Sequence, residues 1–130
     1  MTPGTYLRLR REAAGLSIDD VALMTETIPP VCARSRSEWL AAIENGAAPV
    51  PIGAALRLQQ LLGFDWKVFV AVCAHAEGLG NEPVVCRVCA CSEWDPCLRG
   101  TTIADGTTCA WAEPDLCTSC VDGGTMQAAA

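Results

Sequence analysis

Seven of the chain's nine cysteines, Cys86, Cys89, Cys91, Cys97, Cys109, Cys117 and Cys120, fall within 35 residues. No other feature restricts the fold as strongly, because thiols at this density end up bonded to one another or to an ion. The N-terminal stretch from Met1 to Arg11 lacks the apolar core of a secretory signal, which points to a cytoplasmic protein. In a reducing compartment, clustered cysteines favour metal over disulfides. Cys86-x-x-Cys89 and Cys117-x-x-Cys120 form two chelating pairs with 27 residues between them. A two-residue spacer lets two thiolates of one tight turn face the same ion. Two such pairs complete a tetrahedral four-thiolate zinc site. The stretch between the pairs is longer than the usual spacing of roughly 15–20 residues.

Between the pairs stand Cys91, Cys97 and Cys109, one short of a second four-thiolate site. Either they share a thiolate with the first site in a binuclear cluster, or they take Asp95 or Asp115 as a fourth ligand. One or two zinc ions are expected. An iron–sulfur cluster, also held by cysteine thiolates, is the alternative cofactor. So small a unit has little else to bury, so Trp94 and Trp111 are expected to cover the metal core. If they are exposed instead, they form a partner surface. Cys32 and Cys73 stand apart and are read as small buried apolar residues. His75, the single histidine, is read as solvated or capping rather than as a ligand.

The rest of the chain carries helical signals. A first helix is expected from Thr5 to Ala14, stopped by Gly15. Ser17 caps a second, Ile18 to about Thr25, with Asp20 as a capping-box-like acid. Pro29-Pro30 cannot continue it. A third runs from about Ser35 to Glu44, with Leu40 and Ile43 facing inward and Asn45-Gly46 as its left-handed stop. A fourth spans Ile52 to Leu62 and closes at Gly63, with Leu58, Leu61 and Leu62 at helical spacing. A fifth, capped by Asp65, runs from Trp66 to about His75. By composition, residues 77–84 form a linker. The domains are therefore 1–76, all-α with five helices, and 85–122, a small irregular metal-stabilised module. Residues 123–130 read as a flexible tail.

Charge divides along the same line. Residues 1–72 hold seven basic side chains and seven acidic ones, whereas 73–130 hold two basic and eight acidic. The sequence pI of about 4.6 weighs mildly against nucleic acid, because phosphate binding uses Lys and Arg. Charge on the docking face matters more than the total. No segment reaches the roughly 18 apolar residues of a membrane span. There is no glycine-rich phosphate loop, nucleophile triad or open mixed-ligand metal site, so neither an enzyme nor a small-molecule substrate is expected.

Two stretches give the helical half a family likeness. "REAAGLSIDDVA" (Arg11 to Ala22) is similar to the end of the first helix and the second helix of the Cro/repressor-like (XRE) helix-turn-helix family. "LAAIENG" (Leu40 to Gly46) and "ALRLQQLLGFDW" (Ala55 to Trp66) resemble its third to fifth helices. The resemblance covers residues 3–73. It implies a transcriptional regulator that binds double-stranded DNA, commonly as a homodimer, through the start of the third helix. There Arg36, Ser37 and Glu38 would face base edges, with Arg34 just before them, and Asn45 would meet the backbone. Arginine can pair bidentately with guanine, or it can simply position the protein on phosphate. Arg8 and Arg10 would join Arg34 and Arg36 on one side. The resemblance also implies an architectural ion pair between Arg11 and Glu44. One departure is the stretch from Thr25 to Ser35, far longer than the usual turn of about 3–4 residues. Trp39 either staples this insertion to the core or contacts a base.

"CRVCACSEWDPC…CAWAEPDLCTSC" (Cys86 to Cys120) resembles a zinc-finger-like module of bacterial and phage proteins, which adds no function of its own. Its acidic side chains repel phosphate. The acidity and the insertion favour a second reading, a protein-protein adaptor that keeps the helical scaffold without binding DNA.

Overall fold

The computed structural model describes residues 1–27, 29–97 and 109–121. The expected tail, 123–130, lies outside them. The chain forms two compact units, Met1–Glu82 and Pro83–Ala130. None of the described helices is long and apolar enough to cross a membrane.

The first unit is built from five helices: α1 (Pro3–Ala13), α2 (Ile18–Met24), α3 (Ala33–Glu44), α4 (Ile52–Leu62) and α5 (Trp66–Ala76). α1 starts two residues before the expected Thr5. Thr2 caps it by accepting from the Thr5 amide at 3.1 Å, and Pro3 fills a first-turn position where no N–H is needed. α2 opens on a complete capping box. Ser17 Oγ accepts from the Asp20 amide at 3.0 Å, and the Asp20 carboxylate accepts from the Ser17 amide at 3.0 Å. Asp65 caps α5 by accepting from the Lys67 and Val68 amides. Gly63 ends α4 with a positive φ of 71°, the left-handed stop that costs glycine little.

The core of this unit is apolar and continuous. Tyr6 and Leu7 of α1, Val21 and Ala22 of α2, and Leu40 and Ile43 of α3 are buried with Leu58, Phe64, Phe69 and Val72. Tyr6 meets Phe64 edge-on, with ring centroids 5.8 Å apart, a favoured aromatic geometry. α1 crosses α3 closely enough that a Cβ on Gly4 would lie 2.3 Å from the Ile43 carbonyl oxygen. Only glycine permits that approach. The segment expected as a linker folds back on its own unit as far as Glu82. The Glu82 carboxylate accepts from the N-terminal amine at 2.9 Å and sits 3.3 Å from His75 Nε2.

The second unit contains little regular structure among its described residues. β1 (Trp111–Glu113) pairs antiparallel with β2 (Leu116–Cys117), and a helical turn follows over 118–121. Its buried residues are Val85, Ala90, Ser92, Leu116 and Ser119, together with Cys86, Cys89, Cys91, Cys97, Cys117 and Cys120. The tryptophans do not cover this core. Trp94 is 63% exposed and Trp111 39% exposed. The described interior is filled largely by the cysteines.

Candidate metal centre and nucleic-acid interface

The metal centre begins with the turn at Cys86. The Cys86 amide donates to the Cys91 carbonyl at 2.9 Å, and the Ala90 amide donates to the Cys86 carbonyl at 2.8 Å. These bonds fold residues 86–91 into a loop that turns Cys86 and Cys89 inward. Closing it places Ala90 at a φ of 61°, in the left-handed region that a non-glycine residue enters only under constraint. The Val88 amide points at Cys86 Sγ from 3.4 Å, a donor suited to a thiolate.

The second pair sits at the end of the hairpin. Cys117 closes β2, and the turn over 118–121 brings Cys120 back beside it. Thr118 locks this arrangement by donating its amide to the Ala110 carbonyl and accepting the Ala110 amide on its hydroxyl. Arg87 ties the first loop to the hairpin. Its amide donates to the Asp115 carbonyl at 2.8 Å, while its guanidinium pairs with Asp115 and, at 3.5 Å, with Glu113.

The four Sγ atoms of Cys86, Cys89, Cys117 and Cys120 all lie within 4.8 Å of one another, and all four residues are buried. A second set, Cys91, Cys109 and Cys117, meets the same limit. Cys89 Sγ lies 3.8 Å from Cys117 Sγ, and Cys91 Sγ lies 3.8 Å from Cys109 Sγ. These separations are far longer than a disulfide of about 2.05 Å. They match the edge, about 3.8 Å, of a tetrahedron with metal–sulfur bonds of about 2.3 Å. The clustered cysteines can therefore hold a metal ion. Cys97 reaches the second set through its main chain. Its amide donates to Cys109 Sγ at 3.2 Å, and its carbonyl accepts from the Cys109 amide.

Crowding sets the protonation of these thiols. Hydrogen bonds from Cys89 and Cys91 hold the Cys86 thiol well below its ordinary value. The bond to Cys86 pushes Cys89 up to about 12, and burial adds to this. Cys91 is raised by Cys86 and Cys89, and Cys120 chiefly by burial.

The alternative carboxylate ligands are engaged elsewhere. Asp95 Oδ1 accepts from the Ser92 amide at 2.9 Å and from the Ser92 hydroxyl, and Asp115 pairs with Arg87. Neither joins a thiol set. Cys32 is exposed, not buried as expected. It occupies the N-cap position of α3 at the end of an extended segment, where its Sγ meets the Ser35 hydroxyl at 3.3 Å. Cys73 is half-buried on α5, where burial raises its thiol.

The second candidate surface is the start of α3. This helix begins at Ala33, two residues earlier than expected, which shortens the α2–α3 connection. The insertion is fastened at its α2 end. Arg36 Nη1 donates to the carbonyl of the buried Thr25 at 2.7 Å, and Ser37 Oγ donates to Asp19 Oδ1 of α2 at 2.7 Å. Farther along, Thr27 Oγ1 accepts from the Val31 amide. Arg34 is 90% exposed and sits 3.5 Å from Glu38, which is also exposed. Asn45 is exposed past the end of α3. The five residues expected at a DNA surface thus divide. Arg34, Glu38 and Asn45 face solvent, whereas Arg36 and Ser37 bind α2 and its loop. Arg10 likewise reaches the Leu62 carbonyl at 3.5 Å. The Thr25 contact left no signal in the sequence, because any residue supplies a carbonyl. Arg87 carried a faint one, as one of two basic residues among eight acids.

Behind this surface, Arg11 clamps α1 to α3. Its Nε lies 2.7 Å and its Nη2 2.9 Å from the two Glu44 carboxylate oxygens, while Nη1 donates to the Leu16 carbonyl at 2.9 Å. The Glu44 bonds raise the guanidinium's already high pKa.

Residues 4–67 match the family model of a helix-turn-helix domain. The match takes in α1 to α4 and the first residues of α5, and leaves the cysteine-rich unit outside. No curated protein and no solved structure matches the chain.

Proposed function

We propose that this chain is a sequence-specific DNA-binding transcriptional regulator of the bacterial and phage XRE kind, cytoplasmic and without enzymatic activity. On this reading its second unit is a zinc module that serves stability or association. The observation that carries the reading is α3, seated on α2 within a matched helix-turn-helix domain, with Arg34 at its exposed start. A helix presented in this way enters a major groove with its first residues toward the bases. Arg34 contacts phosphate or a base edge, with Glu38 one turn along, and Asn45 meets the backbone past the far end of α3. Arg36 acts mainly by holding the Thr25 loop in place. Zinc fits four thiolates at tetrahedral spacing and gives a colourless protein, whereas an iron–sulfur cluster would make it brown.

A second reading, a protein-protein adaptor, draws on specific observations. Two of the five expected DNA contacts hydrogen-bond within their own domain, and Trp94 and Trp111 stand exposed among acidic residues. A titration against a duplex selected from a random pool and against a scrambled duplex separates the readings. Regulation predicts binding that weakens with salt, with a log–log slope of about 0.9 per phosphate contact. Arg34→Ala should lower that slope. If no duplex is selected and nothing binds even at low salt, the adaptor reading takes its place.

A further inference from the structure

We propose that the second unit holds two metal ions, not one, joined through a shared thiolate from Cys117. The inference rests on reading this unit as a thiolate metal module and specifies how its ligands are divided. Two tetrahedral four-thiolate sites need eight ligand positions, and the unit has seven cysteines. One bridging sulfur completes both tetrahedra, and it leaves one less negative charge than two separate sites would.

The geometry identifies the bridge. Cys117 is the one residue common to both thiol sets, the first with Cys86, Cys89 and Cys120, the second with Cys91 and Cys109. It is buried at the end of β2, and each set has an S–S edge of 3.8 Å. Cys97 is assigned as the fourth ligand of the second site on its main-chain bonds to Cys109, although its Sγ lies outside the three-thiol set. It is buried and held against Cys109 by two main-chain bonds, one of them its amide onto Cys109 Sγ. Each site thus has its own N–H···S donor, Val88 to Cys86 in the first and Cys97 to Cys109 in the second. Such outer contacts orient and stabilise ligands. The nearby carboxylates, Asp95 and Asp115, are bonded to Ser92 and Arg87. Cys91 also links the sites through the main chain, because its carbonyl receives the Cys86 amide.

The test is the full-length chain loaded with cadmium-113, with metal counted by native mass spectrometry and observed by cadmium NMR. Two ions per chain are expected, giving two resonances, each split by coupling to the other through the shared sulfur. Two unsplit lines, or a single ion, overturn the bridge. With a single ion the metal reading itself still stands. A chain with no bound ion sinks both. In Cys109→Ser, one ion should remain as an unsplit line, held by Cys86, Cys89, Cys117 and Cys120. Retention of two ions in that variant removes Cys109 from the ligand set and overturns the assignment. The wild-type splitting decides the bridge even if the variant fails to fold.

Discussion

The two units of this chain solve the same problem with different material. The helical unit buries aromatic and aliphatic side chains, and its ion pair and caps lie around that apolar centre. In the cysteine-rich unit, the described interior is largely thiols, with few aliphatic residues and both described tryptophans exposed. Burial of carbon drives folding wherever there is carbon to bury, at roughly 25 cal/mol per Å². Where there is little, bonds to an ion can supply the free energy instead. The difference shows why the same residue type reads differently in each unit. Cys73 sits half-buried on an amphipathic helix as a small apolar side chain, whereas Cys86 and its neighbours face one another.

The most severe way to break this comparison is to remove the metal. Binding of structural zinc by small units contributes on the order of 10–16 kcal/mol, and that energy is the folding energy of the unit. Chelation should therefore abolish amide-exchange protection over residues 84–97 and 109–121 and leave the helical circular dichroism signal nearly unchanged. Simultaneous loss of both would show that the helical unit depends on its neighbour.

A smaller effect tests the helical side. Arg11 and Glu44 side chains are only 13% and 10% exposed, and Arg11 also caps the Leu16 carbonyl. Breaking a fully buried pair costs roughly 3–5 kcal/mol, so Arg11→Ala should cost somewhat less. Arg11→Lys should recover only part of the loss, because an ammonium cannot match the two-point contact. Metal content should not change in either variant. Chemical denaturation followed by circular dichroism gives the first result, and elemental analysis gives the second. An Arg11→Ala curve that overlays wild type would remove this pair from the list of what holds α1 to α3.

The legible parts of the sequence were those governed by local rules. Ser17 with Asp20, Asp65, Gly63 and the alternation of Leu40 with Ile43 specify caps, stops and faces within a few residues, and the helices follow them. The two C-x2-C pairs were equally plain, because the spacing itself carries the chemistry. Distant pairings were not legible. The family resemblance sets Arg36 toward base edges or phosphate, and it carries no sign of an intramolecular partner. The competing Thr25 carbonyl became visible only once the α2–α3 connection had a shape. Cys32 looked buried by residue type, but its place at the N-cap of α3 exposes it. That Cys117 belongs to both thiol sets depends on how a hairpin and a loop meet, which spacing alone leaves open.

Acid sharpens the comparison with the smallest effect of the set. Metal–thiolate sites release their ion as the thiolates take up protons, so falling pH should unfold the cysteine-rich unit first. The helical unit then faces further acidification alone. There the capping box responds. The Asp20 carboxyl lies below its ordinary value because the Ser17 amide and hydroxyl hydrogen-bond to it. Its negative charge also faces the positive end of α2. A carboxyl depressed by folding stabilises the fold above its unfolded value, about 3.9 for aspartate, and loses that contribution as pH falls through its folded value. Wild type should therefore melt above Asp20→Asn at pH 6, and the gap should narrow below about pH 4 and close once Asp20 is protonated. Ser17→Ala removes the other half of the box and should cost about 1 kcal/mol at neutral pH. Melting temperatures from pH 2 to 7, read from the helical signal of wild type and both variants, make the check. A wild-type advantage over Asp20→Asn that stays constant across that range would mean that the Asp20 charge contributes nothing and that the cap works through neutral hydrogen bonds alone.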